Sequence, residues 1–189
     1  MDENLLVVIK DKEVKIAQID HYDAPPEGRG LEILTVIRGR VEELGKILSE
    51  ISPYSLDESK TSFQGETNLP HAPGNNFLVL RDVLAGKKFT FTNNYLFAAY
   101  GDLCEWCYVI DYDKETFEVY RGKNREPLTE NDRFFDLKDK VSCVSKEYHP
   151  VKLLCAFDLN NLPEGRKFLS ICYTELEKRE HSNNYEIYR

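Results

Sequence analysis

Residues 104–121 read Cys-Glu-Trp-Cys-Tyr-Val-Ile-Asp-Tyr-Asp-Lys-Glu-Thr-Phe-Glu-Val-Tyr-Arg, and this stretch decides the fold. Residues 105–111 and 117–121 are rich in strand-forming side chains, and the polar sequence Asp-Tyr-Asp-Lys-Glu-Thr between them is typical of a turn. The stretch therefore predicts an antiparallel β-hairpin. Because side chains alternate between the faces of a strand, one face carries Trp106, Tyr108 and Ile110, and the other carries Glu105, Cys107, Val109 and Asp111.

A second hairpin is predicted at the start of the chain. Residues 5–10 read as one strand, residues 13–19 read as its partner, and Asp11-Lys12 forms the turn. Gln18 is predicted to share a face with two apolar residues, where a buried glutamine needs hydrogen-bond partners. The predicted faces of the second strand are Val14, Ile16 and Gln18 on one side and Lys15, Ala17 and Ile19 on the other.

Apolar residues at helical spacing predict helices after this hairpin. The pattern covers residues 31–48, and Gly39 breaks it into two helices or kinks one long helix. Another helix is predicted over residues 76–84, with Gly86 as its terminating glycine. The apolar positions of the first pattern are Leu31, Leu34, Ile37, Val41, Leu44, Ile47 and Leu48.

Two short strands and a final helix complete the prediction. Residues 89–91 and 151–157 read as strands. The final helix is predicted to begin near Leu162-Pro163, with Asn161 as its N-cap. Its apolar stripe consists of Phe168, Ile171, Cys172 and Leu176.

Hairpins mixed with separate helices, without a repeating βα unit, favour an α+β fold over a doubly wound sheet. We therefore predict a single α+β domain over residues 1–189, with mostly antiparallel strands and helices packed against them. A long polar loop is expected over residues 54–75, and a polar tail over residues 179–189.

The composition is ordinary for a soluble globular protein, with 41% hydrophobic and 31% charged residues. A net charge of −8 without a run of Lys and Arg disfavours nucleic acid and anionic membranes as partners. No apolar run approaches the length of a spanning helix, and the first residues lack the pattern of a signal peptide. The five cysteines at irregular spacing read as free thiols in a reducing cytoplasm.

The loop over residues 20–30 is the best candidate for a binding site. It reads Asp-His-Tyr-Asp-Ala-Pro-Pro-Glu-Gly-Arg-Gly and opens directly into the first predicted helix, where free backbone N–H groups can meet an anion. The stretch lacks the lysine of a phosphate-binding loop, and Glu27 opposes an anion. The alternative is a tight loop in which Gly28 and Gly30 adopt positive φ angles.

Two stretches of the chain resemble an uncharacterised protein family of bacteria, phages and some fungi. Its members carry K-V-A-Q-Y-G-Q-W-D-G-Y-P-x-G-Q-G, and then C-E-W-x-Y-V-I-D-x-D followed by E-V-Y-x-G. The first motif is matched by Lys15, Ala17, Gln18, Asp23, Pro26, Gly28 and Gly30, with Tyr22 at the position of the family's Trp. The second is matched by Cys104, Glu105, Trp106, Tyr108, Val109, Ile110, Asp111, Asp113, Glu118, Val119, Tyr120 and Gly122.

The resemblance implies a fold similar to the N-terminal-nucleophile hydrolases, an αββα sandwich with two sheets between helices, and a phage origin would fit a role in phage–host interaction. It carries no established activity. The chain departs from the family pattern within the loop, so the loop chemistry is partly its own. The departures are Ile19, Asp20, His21, Ala24, Pro25 and Arg29.

A pocket is predicted where the loop meets the strand that begins at Glu105. A buried carboxylate needs a cation or N–H donors to stay ionised, and Lys15 or Arg29 could supply the charge for Glu105. Functional clefts and structural ion-pair networks give the same pattern, so both readings stand. The predicted ligand-binding residues are Gln18, His21, Tyr22, Asp23, Gly28, Arg29, Gly30, Glu105 and Trp106.

Cys104-x-x-Cys107 raises the question of a metal or redox site. Residues three apart on a strand point to opposite faces, and no second Cys-x-x-Cys follows to complete four zinc ligands. We therefore expect neither a metal nor a cofactor.

The leading functional hypothesis is non-catalytic recognition of a small polar ligand or a partner protein through the 22–30 loop and the Glu105 strand. The rival is a hydrolase with Asp23 or Glu105 as general base and Arg29 as oxyanion stabiliser. A third is a structural homo-oligomer. Asp2 follows the initial methionine, and the first hairpin contains no Cys, Ser or Thr, which argues against an N-terminal nucleophile.

Overall fold

A five-stranded mixed sheet forms the centre of the computed structural model, which describes residues 3–53, 60–141 and 147–186. The strands are β1 (Glu3–Lys10), β2 (Glu13–Asp20), β3 (Lys60–Ser62), β4 (Thr90–Thr92), β5 (Cys104–Asp111), β6 (Thr116–Arg121) and β7 (Lys152–Asp158). The α-helices are α1 (Leu31–Ile37), α2 (Val41–Leu48), α3 (Asn76–Leu84) and α4 (Gly165–Glu186). A π-helical turn (Pro26–Gly30) and the 3₁₀ helices Tyr95–Ala99, Phe135–Lys140 and Leu159–Asn161 lie between them.

The central sheet has the strand order β2-β1-β5-β6-β7. The pairs β1–β2, β5–β6 and β6–β7 are antiparallel, and both predicted hairpins are confirmed. The parallel pair β1–β5 joins the two hairpins and aligns Leu6 with Tyr108. A small antiparallel pair, β3–β4, stands apart from the central sheet. The fold is thus the predicted α+β class, with one large sheet among the described residues rather than two stacked sheets.

Irregular register corrects two face assignments. In the β1–β2 pair, Val8 is opposite Ile16 but Ile9 is opposite Val14, so Lys15 is an extra residue and the alternation changes there. Val14 therefore packs in a different core cluster from Ile16, contrary to the prediction.

The second irregularity lies at the start of β5, where Glu3 is opposite Cys104 and Asn4 is opposite Trp106. Glu105 is the extra residue in this strand. As a result Cys104 and Cys107 belong to the same core cluster, although a regular strand would place them on opposite faces.

The helix predictions hold except at the two ends of the last helix, which begins later than predicted and continues to Glu186, into the predicted polar tail. Gly39 separates α1 from α2 with a φ of +78°, which glycine adopts without strain. The last helix begins at Gly165, and Asn161 is not its N-cap. Residues 159–161 form a separate 3₁₀ turn, in which Asp158 accepts a hydrogen bond from the N–H of Asn160 at 2.8 Å. Leu162 stays extended before Pro163, since the residue before a proline disfavours helix.

Both faces of the sheet are buried, each against a different layer. One face packs against the four α-helices through Leu6, Ile16, Tyr108, Phe117 and Phe168. The other packs against the 3₁₀ helices that precede β5 and follow β6, through a second set: Leu5, Val7, Val109, Tyr120 and Phe134. Burial on both sides explains the nearly continuous apolar runs in β1 and β5.

A buried arginine holds the second layer on the sheet. Arg133 Nη2 lies 2.5 Å from the Asp111 carboxylate and 2.9 Å from that of Glu118. The hydroxyl of Tyr120 donates to Glu118 at 2.6 Å. Each charge in the cluster has an opposite charge and hydrogen bonds, which offset the cost of removing it from water. No local sequence pattern predicts this cluster, because Arg133 lies in an irregular segment.

The turns of the two hairpins are joined by one carboxylate. Asp11 and Lys12 have φ angles of 58° and 62°, the left-handed pair that a tight two-residue hairpin turn requires. Asp113 accepts hydrogen bonds from both of their backbone N–H groups, at 3.0 and 2.6 Å. These bonds favour the turn although neither residue is a glycine.

Trp106 is core, with only 4% of its surface exposed, and the Arg121 guanidinium lies 4.7 Å from its ring centroid. We therefore expect Trp106→Ala to lower the free energy of unfolding by about 3–5 kcal/mol, the usual range for removing a buried aromatic ring. Urea denaturation followed by circular dichroism measures it. The control is Leu103→Ala, because Leu103 is 52% exposed and its loss should change stability by about 0.5 kcal/mol at most. Equal midpoints for the two variants would contradict this assignment.

Candidate functional site

The 20–30 loop is anchored by a buried ion pair between its two ends. Asp20 is the last residue of β2, and Arg29 lies in the π-helical turn before α1. Arg29 Nε is 2.7 Å from Asp20 Oδ2, and the two side chains are 2% and 0% exposed. The N–H direction is poor for a hydrogen bond, so the contact acts mainly through charge. The pair fixes where the loop leaves the sheet.

Two buried asparagines extend this ion pair into a polar cluster of Asn4, Asp20, Arg29 and Asn76. The backbone N–H of Asn76 donates to Asp20 Oδ2 at 2.9 Å, at the N-terminus of α3, where a carboxylate is favoured. The side-chain amide of Asn76 donates to Asn4 Oδ1 at 2.9 Å. Asn4 in turn donates to the carbonyls of Asp20 and Tyr22, each at 3.3 Å. The cluster therefore connects β1, β2, the loop and α3.

The guanidinium of Arg29 has further partners within the loop and α1. It contacts the Glu32 carboxylate and lies 3.5 Å from the carbonyl of Tyr22. Two carboxylates thus share one buried cation. The expectation that Arg29 pairs with Glu105 is wrong, because its carboxylate partners are Asp20 and Glu32. A role as oxyanion stabiliser stays a prediction, and these two partners disfavour it.

Close packing, and not positive φ, explains the two loop glycines. Neither Gly28 nor Gly30 has the left-handed φ that the sequence suggested. A Cβ on Gly28 would lie 2.7 Å from the carbonyl oxygen of Asp23, and a Cβ on Gly30 would lie 2.9 Å from the ring of Tyr108. Asp23 itself takes the left-handed conformation, with a φ of 49°. The loop therefore has no room for side chains at either glycine.

Tyr108, on β5, contacts the loop. Its hydroxyl donates to the carbonyl of Ala24 at 2.7 Å. Burial raises the pKa of Tyr108 well above its ordinary value, so the hydroxyl stays protonated and keeps this bond. Tyr108 belongs to the second matched motif. The sequence places it on an apolar face of the strand, which predicts a core residue and not a contact with the loop.

An open groove of about 690 Å³ lies along the outside of the loop. Of the predicted residues, Asp23 and Gly28 line it. The sequence prediction did not select the other lining residues, which come from the loop, from α1 and from α3: Pro25, Glu27, Leu31, Glu32, Thr35 and Phe77. Helical spacing identified Leu31 as an apolar position, but nothing local in the sequence brings Phe77 of α3 beside it.

The described lining of the groove is acidic. It holds three carboxylates, Asp23, Glu27 and Glu32, and no basic side chain. The hydroxyl of Tyr173, on α4, donates to Glu27. Burial, and then the bond to Glu27, raises the pKa of Tyr173, so this phenol remains a neutral donor. The phosphate hypothesis is therefore disfavoured, because an anion would face three negative charges.

Glu105 and Trp106 belong to a different group of residues. Glu105 lies 3.1 Å from Lys123 Nζ and 3.6 Å from Arg121 Nη1, and Arg121 also covers the ring of Trp106. Lys15, the other cation proposed for Glu105, instead contacts Glu13 at 2.8 Å and the carbonyl of Ile51 at 3.2 Å. The predicted pocket thus separates into the loop groove and this pairing on the β5–β6 hairpin.

The remaining predicted residues lie outside the groove, at the beginning of the loop or just before it. His21 Nδ1 is 2.7 Å from Glu3 Oε1 on the surface, and Tyr22 is 67% exposed. Gln18 is 8% exposed, and its side-chain oxygen has no hydrogen-bond partner among the described residues. None of the three is in the lining of the groove.

The two cysteines of the Cys-x-x-Cys motif are buried as neutral thiols. Burial raises the pKa of Cys104 and of Cys107, so neither is a ready thiolate ligand at neutral pH. Across residues 3–53, 60–141 and 147–186, no group of three or more His, Cys, Asp and Glu side chains is arranged to hold a metal ion. Cys143 lies outside these ranges.

Comparisons with protein-family models, with curated proteins and with solved structures find no match to this chain. Its resemblance to the uncharacterised family therefore remains a prediction from the two motifs. No helix in the described part of the chain is both long enough and apolar enough to cross a membrane.

The buried ion pair gives a direct test of what holds the loop. Arg29→Met removes the cation while keeping a long apolar side chain, and it leaves Asp20 buried without its partner. We expect a loss of about 3–5 kcal/mol in the free energy of unfolding, measured by urea denaturation. The matched control is Arg38→Met, since the Arg38–Glu164 contact of 3.7 Å is exposed and should contribute about 1 kcal/mol or less. Similar losses in both variants would refute the role given to Arg29.

Proposed function

We propose that this protein binds a cationic ligand in the loop groove, without catalysing a reaction on it. The fitting chemistry is an ammonium or guanidinium group on an apolar stem, such as a lysine or arginine side chain of a partner protein. The observation that carries the proposal is the lining itself, which combines three carboxylates with the apolar surfaces of Leu31 and Phe77.

Charge and shape favour such a group over a neutral or anionic one. Asp23 and Glu27 present carboxylates at the open side of the loop, and both side chains are exposed. Glu32 already shares the charge of Arg29. Glu27 accepts a hydrogen bond from the Tyr173 hydroxyl, a neutral donor that brings no positive charge, so Asp23 and Glu27 are the carboxylates that a cationic ligand can pair with. The volume of about 690 Å³ lies within the range of sites for small molecules or single side chains.

The apolar part of the groove suits the stem of a long basic side chain. Leu31 and Phe77 are half-buried and lie on two different helices, α1 and α3. Lysine and arginine cover apolar surface with their methylene groups while their charged ends stay near water. An aromatic ring also attracts a cation above its face. Arg81 already lies 5.7 Å from the Phe77 ring centroid, so a ligand would pack its stem on the part of the ring that Arg81 does not cover.

Binding fits the site better than the hydrolase alternative. The proposed oxyanion stabiliser, Arg29, is buried between two carboxylates, and Glu105 is paired with Lys123 and Arg121. Asp23 alone would have to act as general base, with the other groove carboxylates opposing a developing negative charge. No observation favours the homo-oligomer as a second function.

The test is an NMR titration of the full chain with N-acetyl-arginine amide, with N-acetyl-citrulline amide as a neutral probe of the same length. We expect saturable shifts at the amides of Asp23, Gly28, Leu31, Thr35 and Phe77 with the arginine probe alone. The affinity should fall as salt rises, because exposed charge pairs are screened.

A double substitution, Asp23→Asn with Glu27→Gln, removes two charges and keeps the shapes of the side chains. Asparagine tolerates the left-handed backbone at position 23. We expect the arginine probe to bind about fivefold to thirtyfold more weakly, on the basis of about 0.5–1 kcal/mol for each of the two lost charge pairs. The control is Glu130→Gln, an exposed carboxylate outside the groove, which should bind as the wild type does. Equal binding of both probes, or wild-type affinity in the double variant, would refute the proposal.

A further inference from the structure

Two free thiols meet between the edge strand of the central sheet and the last helix. Cys155 lies on β7 and Cys172 lies on α4, and their Sγ atoms are 3.5 Å apart. β7 is the outer strand of the sheet, so its attachment to the fold depends on β6 and on the helix that covers it. The thiols stand at the contact between that strand and that helix.

We propose that Cys155 and Cys172 form a reversible disulfide when the protein meets a peroxide. A disulfide requires an Sγ–Sγ distance near 2.05 Å, so the sulfur atoms must approach by about 1.5 Å. Small side-chain rotations supply movements of this size. Cys104 and Cys107, by contrast, are fully buried in the cluster on the opposite face of the sheet.

The exposure of the two thiols sets the order of the steps. Cys155 is half-buried, whereas Cys172 is fully buried. Hydrogen peroxide therefore reaches Cys155 first and oxidises its thiolate to a sulfenic acid, with release of hydroxide. The sulfur of Cys172 then attacks the sulfur of Cys155, and water leaves as the disulfide forms. In total, two thiols lose two protons and two electrons, and these reduce one peroxide to two waters.

The bond would fasten α4 to the edge of the sheet. Cys172 lies one helical turn after Phe168. The ring of Phe168 packs on Phe117 of β6 and on Phe157 of β7. The packing of Phe168 thus already holds α4 against β7, where the disulfide would form. Oxidation would join α4 to β7 by a covalent bond and would enclose residues 155–172 in a loop.

Tryptic peptide mapping without reduction tests the proposal directly. Cleavage after Lys and Arg separates Cys155 on residues 153–166, Cys172 on residues 168–178 and Cys143 on residues 141–146. After treatment of the folded full chain with hydrogen peroxide, we expect peptides 153–166 and 168–178 to be linked with the loss of two hydrogens. Dithiothreitol should separate them again.

Two variants keep the outcome decisive. Cys155→Ser changes a half-buried position and should abolish the linked peptide, and Cys143→Ser should leave it unchanged. Hydrogen exchange of amides over residues 165–181 should slow on oxidation of the wild type and stay unchanged for Cys155→Ser. A Cys155 peptide that carries sulfinic acid, that links to residues 141–146, or that stays reduced at a peroxide excess would overturn the proposal.

Discussion

The buried pair of Asp20 and Arg29 is the constraint on which the candidate site depends. Asp20 closes β2, and Arg29 lies just before α1, so their attraction sets the direction in which the chain leaves the sheet. Charges this deeply buried persist only when they are paired and hydrogen-bonded. Asp20 meets that condition through Arg29 and through the N–H of Asn76, which brings α3 to the same place. The loop, α1 and α3 are the elements that line the groove.

The groove is acidic because Arg29, the basic residue of the loop, is buried inside the protein. Arg29 turns into the protein toward Asp20 and Glu32, while Asp23 and Glu27 remain outside. Residues 20–30 contain three acidic residues, Asp20, Asp23 and Glu27, and one basic residue, Arg29. This charge count alone does not predict which of the charged side chains are exposed to solvent. Burial of the arginine decides it. The surface that remains is suited to a cation, and this is the physical basis of the proposed recognition.

The same sheet supports two further polar arrangements at a distance from the groove. Arg133 ties the irregular segment after β6 to Asp111 and Glu118 on one face. On the other face, Cys155 and Cys172 stand where α4 covers the edge strand. In each case a polar or reactive side chain lies where an element that is not a strand is held against the sheet.

The sequence by itself determined the two hairpins, the break at Gly39, the helix over residues 76–84 and the α+β class. Each depends on neighbours a few residues apart: alternation, turn residues, helical spacing and a glycine with positive φ. The tertiary structure alone decided the parallel pairing of Leu6 with Tyr108, the irregular register at Lys15 and Glu105, and the partners of Arg29. Those features depend on which surfaces are buried together and which charges then meet, and residues distant in the chain settle both.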